Sequence, residues 1–104
     1  MKDIIVTKED IMKQEVYWTL KSKVNLLKKE LEANQLMHGH NVILNNLYQL
    51  EPAKDAGLAE TDAAIKASEF FIALINEEYY GCSNTANSLL REINSLLKKR
   101  RSLM

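Results

Sequence analysis

The residues of this 104-residue chain that could do chemistry are His38, His40 and Cys82, the acid pairs Glu30-x-Glu32 and Glu77-Glu78, and the basic run Lys98-Lys99-Arg100-Arg101. His38-x-His40 invites a metal reading. On a regular helix, however, residues two apart point about 200° away from each other, so the two rings share an ion only if the helix breaks at Gly39. A distant cysteine adds neither a four-ligand set nor a second paired-ligand spacing. Loop histidines with no metal are the expectation.

Cys82 stands just ahead of an expected helix start, a position that lowers a thiol's pKa and favours the nucleophilic thiolate. Nothing around Gly81-Cys82-Ser83 forms a nucleophile signature, and lone cysteines commonly pack as small apolar groups. Adjacent or i,i+2 carboxylates diverge on a helix, so the acid pairs are not the spaced constellation that metal-dependent hydrolysis on a bundle needs. The three glycines, at 39, 57 and 81, are isolated and build no phosphate-binding loop. The chain therefore reads as a non-enzyme, with no catalytic residue, metal or cofactor.

The elements that position these residues are helices. One proline and three glycines leave little material for the turns of a β sandwich, while 46% hydrophobic and 27% charged residues match a soluble globular domain. Thr7-Lys8-Glu9-Asp10 reads as a capping box, with Val6 and Ile11 placed as a hydrophobic staple. Met12, Val16, Leu20, Val24, Leu27 and Leu31 follow at spacings of four and three and form one core stripe. That predicts a helix over about 8–37, disturbed at Gly39, which is either a break or a kink.

A helical period resumes over about 41–51 with Ile43, Leu44, Leu47 and Leu50, and Pro52 ends it. A third helix is expected over about 59–80, with Leu58, Ile65, Ser68, Ile72, Ile75 and Tyr79 on one face. Gly81 stops it, and any one of Ser83, Asn84 and Thr85 could cap a fourth over about 84–101 whose stripe is Ala86, Leu89, Leu90, Ile93, Leu96 and Leu97. Residues 1–6 read as an extended lead-in. The whole is one domain over 1–104: an all-α, small antiparallel bundle of three to four helices.

Two apolar surfaces remain. Ile11, Trp18 and Leu36 fall about 170° from the centre of the first helix's stripe, and Ala63, Ala67, Phe70 and Leu74 lie opposite Ile65, Ile72 and Ile75. Either both helices are sandwiched between neighbours, or the excess belongs to a homodimer or partner interface, where aromatic anchors are favoured. On the interface reading the contact residues are Ile11, Trp18, Phe70 and Leu74.

Formal net charge is zero, so no whole-molecule field draws in nucleic acid or an anionic membrane. Charge is nonetheless uneven: residues 51–78 hold seven acids against two bases, and 91–101 hold five bases against Glu92. The function expected is a protein-binding adaptor or inhibitor, of the kind found among phage-encoded inhibitors, anti-sigma factors and secretion chaperones. The alternative is a nucleic-acid-binding regulator using Lys98, Lys99, Arg100 and Arg101. The most apolar run, 70–75, is too short to span a bilayer, so no membrane role is expected. One cysteine and no leader-like start point to the cytoplasm.

Overall fold

The computed structural model describes residues 7–76 and 81–104. The expected lead-in over 1–6, the staple residue Val6, and the last turn of the third helix with Tyr79 lie outside the described residues. Within them the order is α1 (Lys8–Ala33), α2 (His38–Asn45), a 3-10 turn (Leu47–Leu50), α3 (Leu58–Ile75) and α4 (Asn84–Ser102).

Thr7 starts α1 as expected. Its hydroxyl accepts from the Asp10 amide at 3.1 Å, and the Asp10 carboxylate accepts from the Thr7 amide at 3.2 Å. Val16, Leu20, Val24, Leu27 and Leu31 are buried. Met12, the first residue of the expected stripe, is 40% exposed.

The helix ends at Ala33, four residues earlier than its periodicity implies. The chain turns through 34–37, where the Asn41 side chain donates to the Gln35 carbonyl. Gly39 is neither break nor kink: it sits buried in the first turn of α2, donating its N–H to the Gly81 carbonyl at 3.0 Å. The expected 41–51 helix is α2 followed by the tighter turn. Three residues per turn stack Leu47 and Leu50 on one side, and both are buried.

Gly57 opens α3, its amide donating to Glu60, and the Thr61 hydroxyl donates to the Gly57 carbonyl. The buried face is Thr61, Ala64, Ser68, Phe71 and Ile75, roughly 60° round the wheel from the face expected. Ile65 and Ile72 pack against the core only in part, and Leu58 is exposed. Thr61 and Ser68 tolerate burial because their hydroxyls donate to backbone carbonyls, and Asn94 on α4 donates to Ser68 Oγ at 2.8 Å.

Ser83 caps α4 by accepting from the Ala86 amide. Two sets of cross-links fix the topology. Glu30 with Ser83, Lys23 with Glu92 and Tyr17 with Arg100 run α4 antiparallel to α1. Ser68 with Asn94 and Asp62 with Arg101 run it antiparallel to α3. The fourth helix is thus the central one, and α1 and α3 flank it, with α2 and the 3-10 turn closing the bundle between them. The bundle measures 58 × 24 × 18 Å. With helices about 10 Å across, that section is two helices deep, so α1 and α3 each keep an outer face in solvent rather than being sandwiched.

Candidate interaction surface

Trp18 lies on the outer face of α1, 54% exposed, two turns beyond Ile11, which is 47% exposed. Its ring meets Tyr17 edge-on at 5.2 Å between centroids. Adjacent residues on a helix diverge by about 100°, so Tyr17 turns toward the connector 51–57 while Trp18 stays outward. The Lys54 ammonium, carried on that connector, lies over both rings, 5.8 Å from Trp18 and 6.0 Å from Tyr17. Lys21, one turn on from Trp18, places its ammonium 5.8 Å from the indole.

Arg100 holds this arrangement from beneath. It is 5% exposed, its guanidinium carbon sits 5.6 Å from the Tyr17 centroid, and it donates to the carbonyls of Ala53 at 2.6 Å, Lys54 at 3.0 Å and Pro52 at 3.5 Å. Five N–H donors in a fixed fork let one side chain bind three carbonyls of one connector. Hollows of about 190 Å³ and 240 Å³ open beside Tyr17, the first between Lys21 and Glu51, the second between Lys13, Lys54 and Asp55.

The four residues expected to contact a partner do not form one surface. Phe70, 61% exposed, and the half-buried Leu74 lie on α3, across α4 from Ile11 and Trp18. Their helix face continues through Ala63 to a shallow groove shared with Tyr48 of the 3-10 turn. Each surface therefore stands alone.

The basic run is dispersed for the same geometric reason. Four consecutive helical residues point round the whole circumference. Arg100 turns into the protein, Arg101 pairs with Asp62 at 2.9 Å, and Lys98 and Lys99 remain exposed about 100° apart. The Ile93 and Leu97 stripe of α4, extended by one turn, reaches Arg100, a signal that reading 98–101 as one basic run passes over. The role of Lys54 was not legible, because nothing local in the sequence places the connector against α1.

The start of α2, with His40, meets the segment that carries Cys82 near the other end of the bundle. His40 is fully buried, and its Nε2 accepts from the Ser83 amide at 3.0 Å. With Nε2 accepting, the proton of the neutral ring lies on Nδ1. That atom turns toward the Leu31 and Asn34 carbonyls at the end of α1 without reaching normal hydrogen-bond geometry. Burial lowers the pKa of the ring, against the charge of Glu30 and those carbonyls. Burial pushes the Cys82 thiol up, and the Glu30 charge adds to it.

A raised thiol that donates to the Ser83 carbonyl, and an imidazole whose free lone pair is occupied by the Ser83 amide, are the reverse of an activated pair. Ser83 Oγ also donates to Glu30 at 2.8 Å, so three helix ends are tied at one point. Among the described residues no three His, Cys, Asp or Glu side chains converge as metal ligands would, and no helix is long and apolar enough to cross a membrane.

Comparison with protein families, curated proteins and solved structures finds no match to this chain.

Proposed function

We propose that this chain is a non-enzymatic protein-interaction module, an adaptor or inhibitor that works in the cytoplasm by covering a surface of its partner. The observation that carries the reading is Trp18: a large aromatic side chain, half in solvent, aligned with exposed Ile11 on a helix face against which, among the described residues, the connector places only the Lys54 side chain. Trp is the side chain most enriched among interface anchors, because a single fully buried aromatic removes a large apolar area from water at little cost in rotamer entropy.

The α3 surface with Phe70 and Leu74 is a second contact region, suited to another partner or to a second copy of the chain. Nucleic-acid binding by Lys98 and Lys99 is less well supported, because Arg100 and Arg101 are already engaged within the fold. The test is affinity capture from nuclease-treated lysate of the source cell at about 150 mM salt, with wild type and Trp18→Asp compared. The expected result is a stoichiometric protein lost with the variant while far-UV circular dichroism is unchanged. A variant that unfolds would place Trp18 in the core and remove the reading, as would capture that vanishes on nuclease treatment.

A further inference from the structure

We infer that the hollow between α1, the connector and the end of α4 receives a carboxylate from an acidic, amphipathic segment of the partner protein, with Trp18 at its rim taking the segment's apolar side. This rests on the interaction reading above. The buried guanidinium of Arg100 carries it. Its acceptors are three neutral carbonyls, and among the described residues no carboxylate pairs with it, so its positive charge beneath Tyr17 is met by carbonyl dipoles and by no opposite charge. A charge out of water is screened less than one at the surface and reaches further into an adjoining hollow.

Arg100 itself lines that hollow, with Lys13 and Lys54 facing a single acid, Asp55. The neighbouring hollow adds Lys21 against Glu51. The balance favours an anion, and it lies beside an indole that favours an apolar group. Ile11 and Trp18, seven residues apart on one face, match the i, i+7 anchor spacing of helix-on-helix recognition. Single-stranded nucleic acid would also supply the anion. It would find one exposed indole edge-on to a half-buried Tyr17, however, and no row of rings on which successive bases stack.

Trp18 is the chain's one tryptophan, so its fluorescence reads this site directly. A displayed library of amphipathic peptides of random charge, selected on wild type and depleted on Trp18→Asp, is expected to enrich Asp and Glu around Leu, Phe or Trp anchors. Lys13→Glu combined with Lys54→Glu should weaken such a peptide about tenfold or more and gain binding to its Lys-substituted counterpart. Neutral or basic peptides that still depend on Trp18, or acidic ones indifferent to the lysine pair, would overturn the acidic partner and leave the interaction reading standing. No Trp18-dependent peptide at all, with circular dichroism unchanged, would overturn both. An oligonucleotide quenching Trp18 more tightly than any selected peptide would assign the hollow to nucleic acid. Sedimentation showing self-association that Trp18→Asp abolishes would assign the face to a second copy.

Discussion

Arg100 and Arg101 are chemically identical neighbours, and the structure assigns them unequal work. Arg100→Met keeps most of the side chain's volume and apolar stem but removes the fork that holds the connector. Two of its three hydrogen bonds are of normal length, and the third, at 3.5 Å, is at the limit of significance. Charge-assisted bonds contribute about 1.5–3 kcal/mol each. The freed carbonyls belong to a connector at or near the surface and rehydrate, so the lower end applies. Loss of the Tyr17 contact adds about 0.5–1 kcal/mol, and relief of the buried charge offsets part of the total.

The expected cost is about 2–3 kcal/mol, which in a domain of this size lowers Tm by roughly 10–20 °C. Arg101→Met breaks only a half-exposed ion pair with Asp62, worth well under about 1 kcal/mol after solvent screening. Urea unfolding at matched pH measures both, and hydrogen exchange of residues 53–57 should rise in Arg100→Met alone. Equal losses for the two variants, or a larger one for Arg101→Met, would refute the assignment of Arg100 as the clamp of the connector.

His40 gives a pH dependence of definite sign. Its folded pKa lies below the ordinary 6.5, so the unfolded chain binds the proton more readily. The stability this contributes is complete above about 6.5 and is lost as pH falls from there through the lowered folded value. Urea midpoints at pH 7.5 and pH 5 should therefore diverge more for wild type than for His40→Gln, which keeps an acceptor for the Ser83 amide; equal divergence would show that other groups govern the effect. Phe70 and Phe71 form an analogous pair of neighbours: Phe71→Ala, at a position 2% exposed, should cost about 3–5 kcal/mol, and Phe70→Ala less than about 1 kcal/mol, measured by thermal unfolding. Reversed magnitudes would mean that α3 presents the other face to the core.

The capping box of Thr7 and Asp10, the buried stripe of α1 from Val16 to Leu31, the start of α4 within 83–85 and most of its buried face were legible in the chain itself. Each is a relation between residues within a few turns of one helix, and local hydrogen bonding and a period of 3.6 encode it directly. The face of α3 was misread for a physical reason. Ser68 and Ile75 stand on the expected face and are buried, but Ile65 and Ile72 attract the eye as core, while Thr61 enters the buried stripe because the Gly57 carbonyl satisfies its hydroxyl, a circumstance that hydrophobicity does not register.

By itself, then, the sequence determined that this protein is helical, approximately where its helices start, and that α1 and α3 carry more apolar surface than one neighbour could bury. Tertiary structure alone decided that α4 is the central helix, that α1 stops at Ala33, that Arg100 leaves the basic run to clamp the connector, and that Lys54 reaches Trp18 from 36 residues away in the chain. Ile11 and Trp18 differ from Phe71 in burial because of which elements arrive beside them. A helix's own period says which residues share a face and carries no information about what that face will meet.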